Sequence, residues 1–346
     1  MNDVDVVVIG GGVMGAATAR SLARAGREVT LVEQFDLGHA RGSSHGRSRI
    51  FRLSYHDPMY VRMAQEALPL WRQLEEEARE EILRTTGGID LGPAIDRHAR
   101  ALRSCGAAFE VLSGEQVAER FPALRMSRDA RALFQPDAGV VRADRAVAAL
   151  VDSAAIHGAH VLERARVLGL AARDDRAEVR TESETFRAHV AVVTAGAWAR
   201  DLLAGAGIDI PTRPTRETVA YFHVGDDRIP TLVEWGSPAG YALPSPGQGV
   251  KAGEHGAGPD VDPNTESGPN QSSVDRLREW VRERFASAEP GPHHVETCLY
   301  TNTPDQGFIV ERRGPIVIGS PCSGHGFKFA PLIGERLARL AASSSN

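Results

Sequence analysis

The chain has 346 residues, 42% of them hydrophobic and 25% charged, with a formal net charge of −5. This length accommodates two domains of ordinary size, while the mildly acidic and interspersed charge argues against nucleic acid as the main partner. No run approaches the roughly 18 apolar residues of a membrane span, and Cys105, Cys298 and Cys322 form neither a CxxC pair nor a disulfide framework.

In chain order, DVVVIG from residue 5 is a continuous β-branched run, the pattern of a strand buried on both faces of a parallel sheet. GVMGAATARSLARAG follows with helical spacing, and EVTLVEQF reads as a second strand, completing a βαβ unit within the first 35 residues. Gly10, Gly12 and Gly15 form GxGxxG at the first strand–helix junction. The first glycine permits the tight turn, the second lets backbone approach a pyrophosphate, and the third lets helix and strand pack closely with the helix N-terminus toward the phosphates. Glu33, at the end of the second strand, offers a carboxylate to ribose hydroxyls and would repel a 2′-phosphate. These features predict a dinucleotide site and argue against NADP, without separating FAD from NAD. Asp3 and Asp5 stand where a secretory leader carries lysine or arginine, so the expected location is the cytoplasm.

Residues 59–84 read as a charged surface helix with one apolar stripe, bent at Pro69. From TTGGIDLGP to FQPDAGVV the texture becomes small strands and helices outside the first sheet. The parallel-sheet pattern returns in the helix and strand of DRAVAALVDSAAIHGAHVLERARVLGL and in HVAVVTAGAW. Residues 212–305 alternate in the manner of an antiparallel sheet, with a long loop over 253–271 and a helix at VDRLREWVRERFAS. GPIVIGSPCSGHGFKFAPLIGERLARLAAS closes with strand, glycine loop and helix, and only the last serines read as disordered. The expected fold is α/β: a Rossmann-like domain from 1–84, 141–211 and 306–346, and a second α+β substrate domain, built on an antiparallel sheet, from 85–140 and 212–305.

Cation usage is lopsided. Lys251 and Lys328 are the only lysines among 40 basic residues, and both sit among glycines, in GVKAG and GHGFKF. A compact ammonium whose pKa can move does what a planar, permanently charged guanidinium cannot, so both are candidate functional groups. The histidines, GPHHVE included, show no metal-ligand spacing.

VVVIGGGVMG, GSSHGRSRIFR, TTGGIDLGP, FQPDAGVV, TAGAW, YALPS, CLYTNTPD and SGHGFKF together resemble the FAD-dependent N-methyl amino acid oxidases, the family of monomeric sarcosine oxidase and N-methyltryptophan oxidase, within the D-amino acid oxidase superfamily. The resemblance covers nearly the whole chain, and the last two stretches are its most specific parts. It implies FAD held by Gly10, Gly12, Gly15, Glu33, Gln34, Ser43, Arg49, Ile50, Val167, Gly196, Trp198, Gly324, Gly326 and Lys328, with a thioether from Cys298 to the flavin 8α-methyl group. Cys105 and Cys322 have no such context and read as structural. Lys251 matches the lysine on the flavin face where oxygen reacts, and Arg49 the arginine packed on the ring. Arg52 and Lys328 match the pair that grips the substrate carboxylate. Tyr241, His255 and Tyr300 match residues over the flavin, and the implied catalytic set is Lys251, Arg49, His255 and Tyr300.

The activity so implied is oxidation of a secondary, N-methyl amino acid such as sarcosine by hydride transfer to flavin N5, iminium hydrolysis and reduction of O2 to H2O2, by a monomer with neither nucleic-acid nor membrane partners and no metal. Oxidation of another amine (pipecolate, a fructosyl amino acid or N-methyltryptophan) stays open, as does a non-catalytic FAD-binding redox module. The sequence departs from the family in ending soon after GERLARLAAS, which leaves the packing of the last helix open, and in having Pro321 and Cys322 where small or aromatic residues are usual.

Overall fold

The structure is a computed structural model that describes residues 2–225 and 228–343. The closing serines beyond 343, read as disordered from sequence, lie outside the described residues. The Asn2–Ile9 strand is central because both its faces are apolar: Val6 and Val8 join a core with the helices on one side, while Val7 and Ile9 join a second core on the other. It pairs in parallel with Val29–Val32 and with Thr185–Val193. His160–Leu162 and Ile316–Ser320 extend the parallel set on either flank. Helices Val13–Arg24, Ala143–Ile156 and Ala330–Ala342 bury their apolar stripes in the first core.

Two glycines fix the first turn. Gly10 has φ +103°, and a Cβ there would lie 2.7 Å from the Thr194 carbonyl; a Cβ on Gly15 would lie 1.8 Å from the Gly10 carbonyl. No other residue fits either place, so the helix N-terminus is seated directly on the end of the strand.

The second sheet has eight strands in the order His294–Asn302, Arg213–Phe222, Gly249–His255, Ala239–Ser245, Thr231–Glu234, Gly88–Leu91, Arg131–Gln135 and Glu110–Ser113. All its pairs are antiparallel except Thr231–Glu234 with Gly88–Leu91. The Gln271–Arg284 helix packs Leu277 and Val281 into its core. A small sheet of Arg49–Phe51, Gly139–Val141 and Leu83–Thr85 lies apart from both. The fold class expected from sequence holds.

Two local expectations fail. The helix expected over 59–84 spans Pro58–Ala78 and stops at Arg79, which is left-handed at φ +54°. The Glu75 carboxylate accepts from the amides of Ile82 and Leu83, both at 2.8 Å, and turns the chain into the Leu83–Thr85 strand. The loop expected over 253–271 begins later, because residues 253–255 pair with Ala239–Ser245. Gly253, which suggested a loop, is instead covered by the Tyr241 phenol, which a Cβ would meet at 2.4 Å.

Candidate active site

One cavity draws its walls from both sheets. Its first end lies where the parallel strands finish, at Ile9, Val32 and Thr194. Gly12 opens the 12-residue Val13–Arg24 helix, and Ser44 Oγ accepts from the Val13 amide at 3.0 Å. Glu33 is 4% exposed; its Oε2 accepts from the Gly11 amide at 2.7 Å and its Oε1 from the Phe35 amide at 2.9 Å. A carboxylate has about four acceptor directions, so both oxygens keep capacity toward the cavity. Gly10, Gly12, Gln34, Ser43, Ile50, Val167, Gly196 and Trp198 also line it. Gly15 does not, since it packs under the turn.

In the middle, Arg49 is locked by backbone oxygens: its guanidinium donates to the carbonyls of Ser48, Ser43 and His45 at 2.8, 2.8 and 2.7 Å and lies over the Phe327 ring at 5.6 Å. Its Nη2 is 4.0 Å from Cys298 Sγ. Burial pushes the Cys298 thiol up, while the Arg49 and Lys251 charges pull it back down. Lys251 is 3% exposed, and burial together with the Arg49 charge lowers its pKa to about 8. Its Nζ is 3.7 Å from Glu296 Oε1, which accepts from the Tyr221 hydroxyl at 2.5 Å. Gly324 and Gly326 complete this stretch of wall.

The far end carries two more buried cations. Arg52 lies between the rings of Tyr55 and Trp235, 4.2 and 4.9 Å from their centroids, and also donates to the Ser54 carbonyl. Lys328 Nζ donates to Tyr55 Oη at 2.9 Å and to the His325 carbonyl at 2.7 Å; burial, then the Arg52 charge, holds its pKa well below the ordinary lysine value. The fully buried Asp90 accepts from Ser54 Oγ at 2.6 Å and Trp235 Nε1 at 2.8 Å. His255, 5.6 Å from the Tyr300 ring, is pushed down to about 4 by burial and by the Arg52 and Lys328 charges. Tyr241 and Tyr300 line the same wall, their phenols raised by burial.

Sequence reasoning missed Tyr55, Asp90, Tyr221, Trp235 and Glu296. Two of these carried a signal: Asp90 is a lone acid in the otherwise apolar strand GIDL, and Glu296 stands two residues before Cys298, hence on the same face of its strand. Cys322, expected to be structural, stands on the cavity wall, its sulfur accepting from the Thr301 amide at 3.3 Å. The glycine loop that ends the parallel strand turns it there. Among the described residues no cluster of metal ligands occurs, and no helix is long and apolar enough to cross a membrane.

A strand-end glycine turn under one end of a cavity and a cluster of buried cations at the other describe a dinucleotide-dependent enzyme of small anionic substrates. Comparison with known proteins gives the family. The FAD dependent oxidoreductase model matches residues 5–340. The chain is 31% identical to monomeric sarcosine oxidase of Bacillus sp. (strain NS-129), covering 98% of this chain and 93% of that protein. It is 34% identical to human peroxisomal sarcosine oxidase, over 97% and 92%. The solved structure of NikD, an unusual amino acid oxidase essential for nikkomycin biosynthesis, superposes with a TM-score of 0.90 at 27% identity, covering 100% of this chain and 95% of that one. The chain therefore belongs to the FAD dependent oxidoreductase family.

The residues present fit FAD. The glycine turn leaves no room for side chains where a pyrophosphate would approach, and Glu33 has acceptor capacity to spare. Ser48 Oγ and Ser320 Oγ, buried on the cavity wall, have no hydrogen-bond partner among the described residues, as polar atoms awaiting a polar ligand would.

Proposed function

We propose that the protein is an oxidase of small N-methyl amino acids, of which sarcosine is the simplest, with FAD tethered through Cys298. The supporting observation is the pair Arg52 and Lys328. Both are buried, at 9% and 4% exposure, and neither has a carboxylate within ion-pair distance among the described residues. Two desolvated cations so placed favour an anionic ligand, and each charge-assisted hydrogen bond to a carboxylate contributes about 1.5–3 kcal/mol.

When bound, FAD supplies the hydride acceptor and the two-electron reductant of oxygen. The chain supplies position and charge. Arg52 and Lys328 hold the carboxylate, and the field that keeps His255 neutral disfavours an ammonium nearby. The chemistry requires the neutral amine, the form whose lone pair supports loss of hydride from the adjacent carbon, and burial with the Arg52 and Lys328 charges, which lowers His255, favours that form. Neutral His255 can accept from its N–H, and the protonated phenols of Tyr241 and Tyr300 wall the pocket. Lys251 presents an ammonium where negative charge develops on oxygen as it is reduced to hydrogen peroxide. Arg49, 4.0 Å from Cys298 Sγ, favours the thiolate that would bond to the flavin methyl carbon; that carbon would give up a proton and the flavin would take up the two electrons, to be returned to oxygen. Water then hydrolyses the iminium product; from sarcosine this yields glycine and formaldehyde.

In this reading 1–84, 141–211 and 306–346 bind FAD and 85–140 and 212–305 close over the substrate, in a cytoplasmic monomer. Peroxide formation by the purified holoprotein with sarcosine, N-methyltryptophan, pipecolate and a fructosyl amino acid tests it. The highest kcat/KM is expected with the smallest N-methyl substrate. A flavin left oxidised by all four would instead favour a non-catalytic flavin module.

A further inference from the structure

Three charged side chains, two of them on the cavity wall, converge on one glycine. Gly46 has φ +83°, and a Cβ there would lie 3.5 Å from Glu296 Oε1, 3.7 Å from Arg49 Nη1 and 3.7 Å from Lys251 Nζ. Two cations and one carboxylate therefore meet within van der Waals reach of position 46, whose left-handed backbone favours glycine. Glu296 does not arrive there by chance of rotamer. Its Oε1 accepts from the Tyr221 hydroxyl at 2.5 Å, and Tyr221 belongs to the neighbouring strand, Arg213–Phe222. The same Tyr221 ring lies 5.7 Å beneath the Lys251 ammonium.

We propose that Glu296 is the positioning residue of Lys251: its carboxylate, oriented by Tyr221, keeps that lysine charged and seated against the cavity wall. The effect on turnover rests on the oxidase reading above; the electrostatic claim does not. Lys251 is faced by Arg49 from the strand Arg49–Phe51, by Tyr221 from Arg213–Phe222, and by Cys298 and Glu296 from His294–Asn302. Glu296 is also faced by His45 and by His294, whose Nε2 is 3.7 Å from its Oε2. Burial and the Arg49 charge both drive Lys251 toward the neutral amine, and Cys298 opposes them only as a thiolate. A Cys298 bonded to flavin as a thioether carries no charge. The carboxylate of Glu296 then remains as the opposing anion, since burial and neighbouring cations hold His45, at about 4, neutral as well.

The chain contains two lysines, which makes the test direct. Holoprotein labelled with [ε-13C]lysine gives two side-chain signals, assigned with Lys328→Met, and the Lys251 midpoint is read by pH titration. Glu296→Gln should lower that midpoint by at least one pH unit. Glu296→Asp, which keeps the charge but withdraws it by one methylene, should give a value between the two and serves if the glutamine variant does not fold. An unchanged Lys251 midpoint in either variant overturns the proposal. Reoxidation by oxygen at pH 7.5 should slow about threefold or more in Glu296→Gln, the fall in the charged fraction when a midpoint near 8 drops by one unit, with anaerobic reduction by substrate changed less than twofold. A shifted midpoint with unaltered reoxidation would uphold the role of Glu296 and remove the oxygen role of Lys251.

Discussion

The Lys328 ammonium is held by the Tyr55 phenol, its Nζ 2.9 Å from Tyr55 Oη, and the ring of the same tyrosine lies 4.2 Å from the Arg52 guanidinium. One buried aromatic residue thus spaces two like charges that would otherwise separate. If Lys328 grips the substrate carboxylate as proposed, replacing it by Met removes one contact of about 1.5–3 kcal/mol. KM for the amino acid should rise about tenfold to a hundredfold, and steady-state peroxide assays on the variant check it.

Asp90 stands behind this pair. It is 2% exposed, burial raises its carboxyl and the Arg52 charge lowers it, and its oxygens fix Ser54 and the Trp235 indole. Asp90→Asn removes the negative charge while keeping the volume, so Ser54 and Trp235, both in contact with Arg52, lose the charge-assisted bonds that fix them around it. Substrate binding should weaken by about tenfold, near 1.4 kcal/mol, with the flavin spectrum unchanged. Equilibrium titration with a non-oxidisable carboxylate such as acetate reads the change.

Trp71 ties the long helix to the site. It is fully buried, its Nε1 donates to the Lys328 carbonyl at 2.8 Å, and it stacks on Phe327. Trp71→Ala should destabilise the fold by about 3–5 kcal/mol, whereas Trp71→Phe should cost about 1 kcal/mol for the lost hydrogen bond. Urea denaturation of both variants measures the two effects.

If Cys298 carries the flavin, acid precipitation of the wild-type holoprotein leaves the yellow colour in the pellet. With Cys298→Ser the colour moves to the supernatant, and Cys105→Ser, at a site away from the cavity, should behave as wild type. Absorbance of the two fractions decides it.

Much of this was legible in the sequence, and unevenly so. The parallel sheet announced itself because a strand buried on both faces must be apolar throughout, and Gly10 and Gly15 because their positions admit no side chain. Lys251 and Lys328 stood out against a chain that otherwise uses arginine. Tyr55, Trp235 and Tyr221 did not, since each acts by meeting a residue distant in sequence, as Tyr55 meets Lys328 across 273 positions. The early end of the long helix was hidden for the same kind of reason. Glu75 reads as one more surface acid in a helical run, and only its bonds to the Ile82 and Leu83 amides reveal a stop signal. Gly253 misled in the opposite direction, its lack of a side chain serving the Tyr241 phenol rather than a loop.

The account turns on Lys251 as a charged group that serves oxygen. Its pKa of about 8 means that the ammonium predominates below that pH and is lost above it, so reoxidation in the wild type should slow as pH rises through 8. The most direct measurement is stopped-flow separation of the two half-reactions in Lys251→Met. Anaerobic reduction by sarcosine should stay within a few-fold of wild type, while reoxidation by oxygen should fall by about 10²–10³, the scale of losing one fixed electrostatic stabiliser. Equal losses in both halves, or none in reoxidation, would contradict the account.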